Sequence, residues 1–126
     1  MFEKNIRMNP SAQICRDTVI EYPLDLPFDR AYISGLHYYD FPLVRRAIKT
    51  GDKLTLKREP DNPHDTYAVE VYFCGRKLGY WPYPNNKALA NTMEEGNRLK
   101  AKVLEINQND REIYEALKVE AFIDFN

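Results

Sequence analysis

Leu56-Lys57-Arg58-Glu59-Pro60-Asp61-Asn62-Pro63-His64-Asp65, followed by Ala68-Val69-Glu70-Val71, is the stretch that decides the architecture. Lys53 to Arg58 alternates cleanly, with Leu54 and Leu56 on one face and Thr55 and Lys57 on the other, as a half-buried strand does. Two prolines then stiffen a loop that ends in an acid. Tyr67 to Phe73 alternates again, with Val69, Val71 and Phe73 on one face. Short strands joined in this way favour an antiparallel arrangement.

The same punctuation continues outward. Cys74-Gly75 reads as a tight turn into a strand over Lys77 to Trp81, which Pro82 and Pro84 stop. Asn85 or Asn86 can cap a helix running to Glu95, with Leu89 and Met93 on its buried side and Gly96 ending it. Leu99, Ala101 and Val103 mark another strand, Gln108-Asn109-Asp110 a turn, and Ile113 to Phe122 a long last strand. Upstream, Ala31 to Leu36 reads as a strand in which Gly35 marks a bulge or a close backbone approach. Pro42 to Lys49 reads as a short helix ended by Gly51. Val44 and Ile48 share its face, and Arg45, Arg46 and Lys49 project elsewhere. Asp17 to Tyr22 can form a strand, and Pro23 and Pro27 keep the following segment extended or looped. The sum is a mainly β domain: six short antiparallel strands and two short helices, closed into a small barrel because closure removes exposed edges. Helices are too few for a parallel βαβ sheet. The expected division is an N-terminal extension over 1–29 and one domain over 30–126.

A chain of 126 residues fits one domain with its own core, without disulfides or metal. The net charge of −1 names no partner. Its distribution says more: residues 45–102 hold twelve Lys/Arg against seven Asp/Glu, while both flanks are acidic. A basic middle can steer a phosphate ligand. Cys15 and Cys74 form no CxxC, so neither a zinc ribbon nor a redox pair is indicated, and both are expected to be free thiols in a reducing compartment. The N-terminus has no apolar targeting region, and no run approaches the ~18 apolar residues of a membrane span. The expected location is cytoplasmic.

Catalytic signatures are missing. GxSxG, GxxxxGK[ST] and GxGxxG do not occur. Pro60-Asp61 followed by Glu70-Val71-Tyr72 lacks the lysine of a metal-dependent nuclease. Glu59, Asp61 and Asp65 can group, but acids in a turn more often cap backbone donors. With only His37 and His64, no histidine-rich metal site can form. No enzyme, cofactor or metal is therefore expected. The aromatic residues Tyr38, Tyr39, Phe41, Tyr80, Trp81 and Tyr83 cluster beside turns and strand ends. They are either core and rim packing or a platform on which single-stranded bases stack beside a basic groove. An acid in such a groove repels phosphate unless it faces a hydroxyl, and the 3′ end of a strand offers a hydroxyl with no phosphate beyond it. Asp65, on a stiff loop, suits that terminus.

Several motifs in order resemble the HIRAN domain, the small module at the N-terminus of helicase-like transcription factor and its relatives. They are Tyr32-Ile33-Ser34-Gly35-Leu36-His37-Tyr38-Tyr39, Gly51 through Pro60, Asn62-Pro63-His64-Asp65, Ala68-Val69-Glu70-Val71 and Lys77-Leu78-Gly79-Tyr80. Ala88-Leu89-Ala90 and the strand from Leu99 also fit, so the resemblance spans roughly residues 30–122. It implies an OB-like barrel with short helices that binds single-stranded DNA at its 3′ end, in repair or at stalled replication. By resemblance, Asp65 accepts a hydrogen bond from the terminal hydroxyl and Tyr38 contacts the terminal nucleotide. Asn62 shapes the loop, and Tyr80 turns a polar group toward the phosphates. His37 stands where the best understood member has an arginine near phosphate, and His64 where it has a base-stacking tyrosine. Many relatives also carry helicase and RING domains, and neither is expected here. The expectation is a stand-alone single-stranded DNA-binding module, with a protein partner supplying helicase or nuclease activity. The alternative is a protein-interaction module that keeps the barrel without the DNA site.

Overall fold

The computed structural model describes residues 25–109 and 113–125. The strand expected over Asp17 to Tyr22 lies outside them. Six strands form: β1 (Asp25–Tyr32), β2 (Lys53–Arg58), β3 (Val69–Phe73), β4 (Arg76–Tyr80), β5 (Leu99–Ile106) and β6 (Leu117–Asp124). Two helices accompany them, α1 (Phe41–Val44) and α2 (Asn86–Glu94). The strands make one sheet in the order β1-β6-β5-β2-β3-β4, with every pair antiparallel.

The alternation read in β2 is the alternation observed: Leu54 and Leu56 are buried between exposed Lys53, Thr55 and Lys57. Val69 and Val71 join them in a core with Leu78, Leu89, Leu99, Val103, Leu117 and Val119. Burying a Val or Leu side chain stabilises the fold by about 1.5–3 kcal/mol. At the β3–β4 hairpin both turn residues, Cys74 (φ 49°) and Gly75 (φ 81°), take positive φ, which matches a two-residue loop to strand twist.

The mainly β, six-stranded, two-helix expectation holds, but the barrel is not fully laddered. Its edges, β1 and β4, are joined through one bridge just past the end of β1. There Ser34 N–H donates to the Tyr80 carbonyl and Tyr80 N–H to the Ser34 carbonyl, both at 2.9 Å. Trp81 Nε1 supports the same seam by donating to Asp29 Oδ2 at 3.0 Å. So close an approach has a sequence requirement. A Cβ on Gly79 would collide with the Ser34 carbonyl oxygen, so only glycine fits.

Five local expectations shift. The first strand occupies Asp25–Tyr32, with a register irregularity between Pro27 and Asp29. An edge strand tolerates a proline because its missing N–H can face away from the ladder. Gly35 takes φ 74° before a 3-10 turn over Leu36–Tyr38 and does not sit in a strand. The helix expected over Pro42 to Lys49 breaks into α1 and a 3-10 turn at Arg45–Ala47. Arg45, expected to project away from the Val44 and Ile48 face, is buried all the same. It lies 5.3 Å from the Phe41 ring centre and donates to the Asn107 carbonyl and, at 2.8 Å, to that of Asn109. The last strand begins at Leu117, which leaves Ile113 to Ala116 in the loop before it.

Candidate functional site

The loop between β2 and β3 is held by one amide side chain. Asn62 Oδ1 accepts the backbone N–H of His64 at 2.8 Å and of Asp65 at 3.0 Å. Its Nδ2 donates to Glu59 Oε1 at 2.8 Å and lies 3.4 Å from the Tyr80 hydroxyl. An asparagine reaching N–H groups two and three residues ahead builds a turn without a helix or strand. The flanking prolines, which lack N–H groups, leave it little competition.

Asp65 is fixed in turn. Its Oδ1 accepts the Tyr67 N–H at 2.8 Å, and its Oδ2 accepts the Asn86 side-chain amide at 2.7 Å. Of the two candidate caps, Asn85 takes the N-cap position of α2, while Asn86, the first helical residue, is buried and also donates to the Tyr67 carbonyl at 3.3 Å. No side-chain bond caps the start of α2. Each Asp65 oxygen retains a lone pair, so the carboxylate can accept a further donor.

Behind the loop lies a chain of alternating charge. The Tyr80 hydroxyl donates to Glu59 Oε1 at 2.6 Å and accepts from Lys77 Nζ at 2.7 Å. Lys77 also pairs with buried Glu70 at 3.0 Å and lies 4.2 Å from the ring centres of both Tyr39 and Tyr80. The Tyr72 hydroxyl donates to Glu70 Oε2 at 3.2 Å. Hydrogen bonds from Tyr80 and Asn62 hold the Glu59 carboxyl below its ordinary range. Burial and the Glu59 hydrogen bond push the Tyr80 hydroxyl up to about 12. Burial alone would lower the Lys77 ammonium, but the Tyr80 hydroxyl and Glu70 reverse this and raise it. The network is thus a locked support near neutral pH. Tyr80 directs its hydroxyl hydrogen at Glu59, so it acts on the loop through that acid and Asn62.

A cleft of about 290 Å³ opens at this loop. Four of the expected site residues, Asn62, His64, Asp65 and Tyr80, line it together, with Ser34, Tyr39 and Tyr83 beside them. His37 and Tyr38 line a separate cleft of about 310 Å³ with Tyr32 and Tyr114. There the His37 and Tyr38 rings lie 3.9 Å apart, tilted by 38°, and the Tyr114 ring stands edge-on to His37 at 6.0 Å. Ser34 lines both clefts.

The expected aromatic group divides. Phe41 and Trp81 are core, Tyr39 and Tyr80 are half-buried, and Tyr38 and Tyr83 are exposed. The basic strand is also partly occupied. The Arg58 guanidinium binds Glu94 and the carbonyls of Thr66 and Ala68, leaving Lys57 as the exposed cation beside it. Among the described residues, no group of three or more His, Cys, Asp or Glu side chains is placed to hold a metal. Glu59, Lys77 and Asn86 were not singled out as site residues from the sequence. Glu59 and Lys77 each have one partner three residues away, Asn62 and Tyr80, but the Glu59–Tyr80, Lys77–Glu70 and Asn86–Asp65 contacts join separate elements, which no local spacing marks.

Residues 30–123 match the family model of the HIRAN domain. Among curated proteins none matches. The fold is similar to the crystal structure of a protein from Lactobacillus plantarum, at 25% identity and a TM-score of 0.70, covering 79% of this chain and 94% of that one. It is also similar to the HIRAN domain of human HLTF, at 21% identity and a TM-score of 0.61, covering 79% of each chain. With the family model spanning most of its length, the chain belongs to the HIRAN domain family.

Proposed function

We propose that this domain binds single-stranded DNA and reads its 3′-hydroxyl end. HIRAN domains are in general DNA-binding modules, and the proposal adds which feature of DNA this one reads. The observation that carries it is the Asp65 carboxylate: it lines an open cleft, is held by the Tyr67 N–H and the Asn86 amide, and keeps acceptor capacity. A terminal hydroxyl can donate to it. A terminal phosphate brings like charge against it and is disfavoured. In this reading Asn62 sets the loop, His64 offers a flat ring beside the acid, and Tyr80 supports Asn62 from behind. His37 and Tyr38 contact the strand from the adjoining cleft. The role is binding, with catalysis left to a helicase or nuclease partner, in the cytoplasm, at repair or stalled replication.

Fluorescence anisotropy with an oligonucleotide ending in a 3′-hydroxyl, against the same strand ending in a 3′-phosphate, tests this directly. The hydroxyl end should bind about tenfold tighter or more, from one charge-assisted hydrogen bond. Asp65→Asn, which keeps an acceptor at Oδ1, should erase most of that preference. Equal binding of the two ends by the wild type defeats the proposal. No binding to either, with a stable protein partner in a pull-down, favours the protein-interaction alternative.

A further inference from the structure

Tyr83 has the largest exposure among the big apolar side chains of the described residues, at 84%. It lines the Asp65 cleft. Among the described residues its hydroxyl makes no hydrogen bond and its ring no ring contact. The backbone around it is nevertheless constrained. Pro82 and Pro84 flank it, and proline fixes its own φ and restricts the residue before it. An apolar ring presented to solvent on a stiffened backbone, at a cleft whose Asn62, Asp65 and Tyr80 side chains are hydrogen-bonded in place, has the character of a binding surface. A terminal nucleotide matches the cleft in two ways at once: it has a hydroxyl for an acceptor and a π-face for a ring. His64, the other exposed ring of this cleft, offers a smaller stacking area.

Resting on the end-reading proposed above, we infer that Tyr83 is the stacking partner of the base on the 3′-terminal nucleotide, supplying the area that His64 lacks. Base–aromatic stacking tolerates any base, so Tyr83 contributes affinity without sequence preference.

A double-mutant cycle between protein and DNA tests this. Wild type, Tyr83→Ala and Tyr83→Phe are titrated with two oligonucleotides that both keep the 3′-hydroxyl, one with a normal terminal nucleotide and one with an abasic one. Tyr83→Ala should weaken binding of the normal strand by about 5- to 150-fold, the range for one stacked base. Tyr83→Phe should stay within about twofold, since the ring remains. The abasic end should cost the wild type a similar factor and Tyr83→Ala almost nothing further. If removing the base costs wild type and Tyr83→Ala the same factor, the stacking role is wrong even where hydroxyl preference persists. If hydroxyl preference is missing but Tyr83→Ala weakens only the base-bearing strand, stacking stands and the end-reading falls. Because Tyr83 is exposed and unbonded, both variants should fold as the wild type does.

Discussion

The two clefts that meet at Ser34 are built by different physics. Around Asp65, polar atoms hold polar atoms: Asn62 ties His64, Asp65 and Glu59, Tyr80 ties Glu59 and Lys77, and Lys77 ties Glu70. Around His37, rings lean on rings, and Tyr38 and Tyr114 are each about three-quarters exposed. The first arrangement fixes direction, because hydrogen bonds weaken steeply when bent. The second offers area and tolerates reorientation, because ring contacts are broad and individually weak. A site that must recognise one chemical group needs the former, and a surface that accepts any base needs only the latter.

Gly79→Ala should disturb both regions at once. Its Cβ meets the Ser34 carbonyl oxygen, a backbone atom that cannot swing away, so the seam must open. The expected loss is about 1–3 kcal/mol of unfolding free energy, read by urea denaturation. A variant as stable as the wild type would show that the seam is not a constraint.

Glu59→Gln strikes only the hydrogen-bonded side and should cost less. Because Glu59 has a folded pKa below its unfolded value near 4.5, its ionised form adds stability above that value. The contribution is lost as pH falls through the lowered folded pKa. The stability gap between wild type and variant should therefore be open at pH 7 and close at lower pH, in acid titration followed by circular dichroism. A gap that does not change with pH would remove Glu59 as the charge that tensions the loop.

Tyr114→Ala should have the smallest effect on stability, within about 0.5 kcal/mol, since the ring is mostly in solvent already. A clearly larger shift in melting would mean that the ring-built cleft is structural after all.

The sequence made the hairpin from Lys53 to Phe73 readable because its information is local: alternation of period two, two prolines, and an asparagine that bonds two and three residues ahead. The same holds for the grouping of Asn62, His64 and Asp65. What escaped depends on distant pairings. Arg45 is buried because loop carbonyls about sixty residues later receive it, and no helical spacing around it signals that. Asn85 and Asn86 both looked like caps because asparagine before a helix usually is one; Asn85 takes that position without a side-chain bond, and the Asn86 amide instead donates to Asp65, from another element. The Lys77–Glu70 pair requires the β3–β4 register and the irregularity between Val71 and Tyr72. Pro27 left its segment either extended or looped, and its placement on the sheet edge is what makes a strand feasible there.

Under the proposed binding, the Ser34–Tyr80 bridge would couple occupancy of the clefts to the integrity of the fold. It joins the two ends of the strand order with a pair of hydrogen bonds, and it does so beneath the surface that both clefts share. A strand of DNA lying across Ser34 would act as a clasp over that joint. Ligand that binds only the closed form raises unfolding free energy by RT ln(1 + [L]/Kd). Amide exchange at Ser34 and Tyr80 then becomes a local gauge of whether the joint is clasped, slowing as the clefts fill while amides deep in β5 and β6 change far less.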